Sequence, residues 1–315
     1  MTTSKWLPSA SLAVALFPAA LFSTLLCSAL WAEPHCPGNA VSIRPRFTGR
    51  SLIAIPVMLD NSGPYDFVVD TGAQITTIDP RLAEERHPKP LGATHVTGAG
   101  TYSRAEYAQL GSLQAGTYSV RDPLVIVQDL SQVQQTDPRI RGILGQNFLE
   151  HFDLLIDYEH RILCLDDSKE MQQKVTGQRI ALTPVPHAEG YLPFMQPMIV
   201  SIRLSGISDR LVLLELDSGI DVPLLFECGR QLPHVQVVAA SQRHRTADEV
   251  SQAFAVLTPQ DMRVGTHSFH QISFVTPVAA GKDIPVKPDV DGVLPTALFR
   301  SAFISYADHF AVLQP

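Results

Sequence analysis

The chain has 315 residues, room for one large domain or two of about 150 residues each. It is 45% hydrophobic and 17% charged, which argues against a disordered chain, and its formal charge of -7, with no basic tail or stripe, argues against nucleic acid as a partner. Four cysteines are too few for a disulfide scaffold, while 24 prolines and 19 glycines favour short strands and turns over long helices.

The first 32 residues read as an export signal. Lys5 is the only charge before Glu33, and the apolar stretch between them contains SLAVALFPAALFSTLLCSALWA. Cleavage after Ala32 or Ala29 is expected; uncleaved, residues 6–32 are long enough to anchor the chain in a membrane. Cys27 sits in a poor lipoprotein context. Either way the bulk of the chain is expected outside the cytoplasm, in a periplasm or the extracellular space. Cys36, Cys164 and Cys228 then remain, compatible with one disulfide and an odd cysteine, or with none. His267 and His270 are a weak metal signal, and no metal or cofactor is expected.

Residues 51–59, SLIAIPVML, lead through the turn DNSGPY into FVVDTGAQITTI, residues 67–78: a strand, a tight turn and a second β-branched strand. DPRLAEERH, residues 79–87, predicts a short helix with Asp79 as cap and Pro80 at its first position. Short strands follow to about residue 128. Residues 142–165, GILGQNFLEHFDLLIDYEHRILCL, predict a buried strand, a short helix starting near Gln146 and a two-strand hairpin.

The same order recurs. MQPMIVSIRL covers 195–204, SGISDR turns the chain, and LVLLELDSGIDVPLLF covers 211–226, with a helix expected at about 224–230. Residues 291–313 match the earlier closing segment. Asp70 precedes Gly142 by 72 residues and Asp217 precedes Gly292 by 75, which argues for a duplicated fold. The helical segments are too short for βαβ units, so two small, mostly antiparallel barrels fit better. The expected divisions are residues 45–166 as a first lobe, a polar linker at 167–177, and 178–315 as a second lobe.

Each half places an Asp-Thr/Ser-Gly triplet at the end of an apolar strand. A charged carboxylate after Phe67-Val68-Val69 is costly unless something stabilises it. Gly72 and Gly219 allow a sharp turn beside each aspartate, and the Thr71 and Ser218 hydroxyls can brace the two turns. If the halves pack about a pseudo-two-fold axis, Asp70 and Asp217 meet and share a proton. One then activates a water as general base while the other hydrogen-bonds the substrate carbonyl.

These residues resemble the retropepsin and pepsin-like aspartic proteases. Asp70-Thr71-Gly72-Ala73 and Asp217-Ser218-Gly219-Ile220 match the family motif, with Val69 and Leu216 as its preceding apolar residues and Ile143-Leu144-Gly145 as its later element. The resemblance spans residues 50–313 and implies a mainly β fold of two retropepsin-like closed-barrel lobes. It also implies an endopeptidase acting on peptide or protein substrates through Asp70 and Asp217. A self-contained monomer is favoured over halves paired between chains. A catalytically inactive peptide-binding envelope protein is the alternative. The absence of HExxH and GxSxG leaves metal and serine hydrolases poorly supported. Hairpins covering the cleft are implied at 94–110, with Gly98 and Gly100 near the tip and Tyr102 close by, and at about 237–257.

Three departures stand out. Pro295 occupies the place of the family's glycine, so the second turn cannot copy the first. Gln74 and Asp221 stand where substrate backbone is reached, as amide-binding groups or as turn-stabilising side chains. Glu215 lies two residues before Asp217, on the same strand face, with Val68 as its counterpart. The family's pocket beside the scissile bond lies at this position. A carboxylate there favours a basic substrate side chain and pushes the dyad upward in pKa; a solvent-facing rim glutamate is the plainer alternative.

Overall fold

A computed structural model describes residues 35–49, 51–97, 102–183, 197–226, 237–244, 252–278 and 290–315. The expected export signal, Gly98, Gly100 and Cys228 therefore lie outside the described residues, as does the tip of the 237–257 hairpin. No helix among the described residues is long and apolar enough to cross a membrane.

The fold is mainly β. In the first half, β1 (Val41–Ile43) and β2 (Arg46–Thr48) precede the long antiparallel pair β3 (Leu52–Leu59) and β4 (Ser62–Val69). After β5 (Thr77–Ile78) and helix α1 (Pro80–Arg86) comes the hairpin β6 (Lys89–Thr97) and β7 (Tyr102–Gln109). Then follow β8 (Ser112–Ala115), β9 (Tyr118–Arg121), β10 (Leu124–Val127), α2 (Ser131–Thr136) and β11 (Ile140–Leu144). Helix α3 (Gln146–Leu149) leads to the hairpin β12 (Asp153–Asp157) and β13 (Ile162–Asp166). Helix α4 (Glu170–Lys174) and β14 (Arg179–Ala181) cross to the second half.

There β15 (Ile199–Leu204) pairs with β16 (Ile207–Asp217), followed by β17 (Leu224–Leu225) and the hairpin β18 (Val237–His244) and β19 (Gln252–Leu257). Strands β20 (Gln260–Val264), β21 (His267–Ile272), β22 (Val275–Val278) and β23 (Gly292–Pro295) come next. A 3-10 turn, Thr296–Leu298, leads into the hairpin β24 (Ser301–Ser305) and β25 (Phe310–Gln314).

The two halves repeat strand for strand. The first sheet runs β6-β7-β10-β5-β11-β4-β3-β8-β9, with β2 added to β3; the second runs β18-β19-β22-β17-β23-β16-β15-β20-β21. In each, the aspartate-bearing strand has one parallel neighbour, β11 beside β4 and β23 beside β16. Glycine on that neighbour is required by close approach. A Cβ on Gly142 would lie 2.2 Å from the Phe67 ring, and one on Gly292 2.0 Å from the Leu224 carbonyl oxygen.

A third sheet joins the halves in the order β1-β13-β12-β24-β25-β14. Its centre is the antiparallel pair β12 and β24, in which Leu155 faces Phe303 while Asp153 and Asp157 face Ser305 and Ser301. The side chains alternate with the period of a strand. Leu154, Ile156, Ala302 and Ile304 join the main core, while Leu155 and Phe303 join a smaller cluster with Cys36, Cys164 and Met171 on the opposite face. A disulfide between Cys36 and Cys164 ties the start of the described chain to β13.

Local chemistry explains the helices. Asp79 caps α1 by accepting from the Leu82 N–H at 2.8 Å, Pro80 opens it, and His87 closes it in a left-handed conformation at φ 49°. The polar stretch 167–177 contains α4 rather than plain linker. The Asp166 carboxylate accepts from Ser168 and from the Met171 N–H at 2.7 Å, and Met171 is buried. Leu224 and Leu225 form strand, not the start of the expected helix. Leu224 pairs with Val275 on one side and Val293 on the other, and that pairing overrides local propensity. The turn before β16 is also shorter than SGISDR, since β16 begins at Ile207.

Candidate active site

Strands β4 and β16 end at the two aspartate turns, and the parallel neighbours hold those ends in register. Val69 aligns with Leu144, Leu216 with Leu294, and Asp217 with Pro295. Asp70 donates its N–H to the Leu144 carbonyl at 3.0 Å. Beyond these strand ends the chain bends back, and its freed N–H groups turn onto the carboxylates. Gly72 N–H and Ala73 N–H donate to Asp70 Oδ1 at 2.8 and 3.0 Å, and Gly219 N–H donates to Asp217 Oδ1 at 2.6 Å.

The turns are locked to each other by four reciprocal hydrogen bonds. Thr71 Oγ1 donates to the Leu216 carbonyl at 2.8 Å and accepts from Ser218 N–H at 3.1 Å. Ser218 Oγ donates to the Val69 carbonyl at 2.7 Å and accepts from Thr71 N–H at 3.1 Å. Both side chains are buried, so each bond satisfies a group that water cannot reach. The glycines let the carboxylates come together. A Cβ on Gly72 would lie 2.6 Å from Asp217 Oδ2, and one on Gly219 2.5 Å from Asp70 Cγ.

Burial holds the Asp217 carboxyl well above the usual carboxylate range. The charges of Asp70 and Glu215 push the same way, as does a hydrogen bond with Asp70, while the Gly219 N–H pulls it down. Two carboxyls brought together in a buried site do not readily both carry charge. Among the described residues no group of three or more His, Cys, Asp or Glu has the arrangement of a metal site, and His270 lies 3.4 Å from Asp261. The paired carboxyls suit activation of a water by a carboxylate acting as general base.

The remaining candidates fall in different places. Glu215 is buried, at 3% exposure, and is not a rim glutamate. It stands in register with Val293, which belongs to an apolar cluster with Leu224 and Phe226, flanked by Ile220 and Phe254. Val68 is buried among Ala54 and Ile140 with Val133 of α2 against them. Gln74 offers its backbone carbonyl to Asn147 N–H at 3.1 Å, and Asp221 is exposed. Tyr102 opens β7, on the hairpin formed with β6. The second expected covering hairpin is formed by β18 and β19.

Helix α3 clamps the first turn. Gln146 N–H donates to the Ala73 carbonyl at 2.8 Å, Asn147 N–H to that of Gln74, and Gln146 Nε2 to the buried Thr71 carbonyl at 2.8 Å. Gly145 N–H donates to Thr76 Oγ1 at 3.1 Å, and a Cβ on Gly145 would meet Ala73 and Ile75 backbone below 3.0 Å. Sequence reasoning missed Gln146, and missed two tyrosines that follow β12 and β24. Tyr158 shares a 2.6 Å hydrogen bond with Thr296, and Tyr306 is buried with its hydroxyl unpaired. Burial pushes both phenols upward; the Asp217 charge adds to this for Tyr158, and Asp70 leads the added charges for Tyr306. Their one sequence signal is position, since each follows the first strand of a closing hairpin.

Residues 55–148 match the profile of a family described as aspartyl protease. Among solved structures, the chain is similar to a retropepsin-like aspartic protease from Rickettsia conorii, at 20% identity and a TM-score of 0.29. That match covers 40% of this chain and 89% of the other. It is also similar to an aspartic proteinase from Irpex lacteus, at 11% identity and a TM-score of 0.49, covering 87% of this chain and 97% of that one. No curated protein matches the chain.

Proposed function

We propose that this chain, whose residues 55–148 match an aspartyl protease family, is a single-chain aspartic endopeptidase of the retropepsin- and pepsin-like kind whose dyad is Asp70 and Asp217. The observation that carries the reading is the reciprocal four-bond lock between Thr71 and Ser218, which sets one carboxyl from each half into a shared site.

In this reading Asp217 keeps the proton, consistent with its upward shift, and Asp70 is the carboxylate. A water between them gives a proton to Asp70 while its oxygen attacks the scissile carbonyl carbon, and Asp217 passes its proton to the carbonyl oxygen. The tetrahedral diol then collapses. The C–N bond breaks, the amine nitrogen takes the proton held by Asp70, and one diol hydroxyl returns its proton to Asp217. Carboxylic acid and amine leave, and the dyad is restored with one proton. The β6–β7 and β18–β19 hairpins exclude water when closed over the peptide. Glu215 gives the pocket beside Asp217 a preference for a basic side chain.

We also place the protein outside the cytoplasm, exported or anchored by residues 6–32. The buried Cys36–Cys164 disulfide supports this, since such bonds persist in oxidising compartments. Protease accessibility of the folded domain, in cells whose outer envelope is permeabilised and whose cytoplasmic membrane is intact, tests it; protection equal to that of a cytosolic control would overturn it.

Cleavage of a peptide library from pH 3 to 8 tests the activity, with Asp70→Asn and Asp217→Asn in parallel. Cleavage by the wild type and loss in both variants is the expected result. A folded wild type that binds peptides and cleaves none would favour a non-catalytic role; Pro295, which lacks an N–H beside Asp217, is the observation on that side.

A further inference from the structure

The two turns are held from behind in different ways. Beneath Asp70, α3 supplies Gln146 N–H, Asn147 N–H and Gln146 Nε2 to the turn carbonyls, all from within the same half. In the second half Pro295 stands in the place of Gly145 and lacks the N–H that Gly145 gives to Thr76 Oγ1. Among the described residues the 3-10 turn Thr296–Leu298 makes no equivalent hydrogen bond to residues 218–221. Thr296, fully buried and next in chain to the partner of Asp217, bonds instead to Tyr158 at 2.6 Å.

Tyr158 belongs to the other half. It follows β12, donates its N–H to the Arg300 carbonyl at 2.8 Å, and packs its ring edge-on to Phe47 of β2 at 6.0 Å. Its anchor is thus the first half and the joining sheet, and its hydroxyl reaches Thr296 of the second half. The pseudo-two-fold counterpart, Tyr306 after β24, does not do the same. Its hydroxyl is unpaired, while the first turn already has α3.

We propose that Tyr158 is a positioning residue for Asp217, holding the second turn across the interface through Thr296, where the second half lacks the clamp that Gln146 and Asn147 give the first turn. The proposal rests on the dyad reading. The charges acting on Asp217 are those of Asp70 and Glu215, so replacing Tyr158 by Phe changes no charge around it.

The test uses the full chain, with kcat and KM for Tyr158→Phe, Thr296→Val, the double variant and Tyr306→Phe. It adds 13C NMR titration of labelled aspartate carboxyls and urea unfolding of each protein. Tyr158→Phe and Thr296→Val should each lower kcat about tenfold with KM within about twofold, and the double variant should lose no more than either. Tyr306→Phe should leave kcat unchanged. The upper titration of the dyad should move down in Tyr158→Phe, because a loosened turn admits water to a carboxyl whose shift comes mainly from burial. Unchanged kcat and titration in folded Tyr158→Phe would overturn the proposal, as would full additivity with Thr296→Val. An inactive wild type would refute the endopeptidase reading alone; the titration of the two proteins would then decide this one.

Discussion

Adding one methyl group at Gly72 probes how closely the two carboxyls must approach. The Cβ of Gly72→Ala would sit 2.6 Å from Asp217 Oδ2, 0.8 Å short of the 3.4 Å at which ordinary contact begins, and 2.7 Å from its Cγ. The carboxyl therefore has to retreat by about that distance. Rotation away from the methyl group would strain or break the 2.6 Å bond from Gly219 N–H. Neither glycine has a positive φ, so the substitution tests the contact and not backbone strain. A displacement near 1 Å of a reacting group costs about 10²-fold in rate, or about 2.7 kcal/mol of transition-state stabilisation. Steady-state kinetics of Gly72→Ala should show kcat down by about 10²-fold with KM changed less than about threefold, and Gly219→Ala, pressed against Asp70, should behave alike. Urea unfolding should confirm that both variants fold. A folded Gly72→Ala enzyme with kcat within twofold of wild type would refute the reasoning, since the carboxyls would then not need this approach.

Ser218→Ala removes an acceptor from the Thr71 N–H and a donor from the Val69 carbonyl, both buried, and should cost about 2–4 kcal/mol in urea unfolding. Ser218→Thr, which keeps the hydroxyl, should restore most of it, and a loss below about 0.5 kcal/mol in Ser218→Ala would contradict the lock. Glu215→Gln removes a like charge that helps raise Asp217, so the alkaline limb of the pH–rate profile should move to lower pH; a limb that stays or rises would refute that assignment. Asp217→Asn should stabilise the fold at neutral pH. A carboxyl raised in the folded state weakens stability as pH climbs from its unfolded value of about 3.9 toward its folded one, so the gain should vanish below about pH 4. Loss of the Cys36–Cys164 bond, which spans 128 residues, should cost about 2–5 kcal/mol, read as a lower urea midpoint in the double serine variant.

The legible parts of the fold were those set by short-range chemistry. Asp79 and Pro80 announce α1, the Asp-Thr/Ser-Gly triplets announce the turns, and the spacing to Gly142 and Gly292 announces the duplication, though not that these glycines lie on strands parallel to the aspartate strands. What the sequence hides is long-range. Leu224 looks helical until Val275 and Val293 pair with it, and which cysteine meets Cys36 depends on β13 passing beside it. The order of the joining sheet follows from two halves meeting, which no local pattern encodes. Gln146 and the Tyr158–Thr296 bond were hidden for the same reason, the latter joining residues 138 apart. By contrast, Glu215 was visible as a carboxylate on the Asp217 face, and only its burial needed the packed structure.

The central claim is that one chain supplies both members of a single dyad. The most direct measurement mixes the Asp70→Asn and Asp217→Asn proteins in equal amounts and assays peptide cleavage beside the active wild type. The account predicts that each variant is inactive and that the mixture stays inactive at every concentration, because neither folded chain retains both aspartates. Activity that reappears on mixing and grows with protein concentration would contradict it, showing that the working pair is assembled between chains.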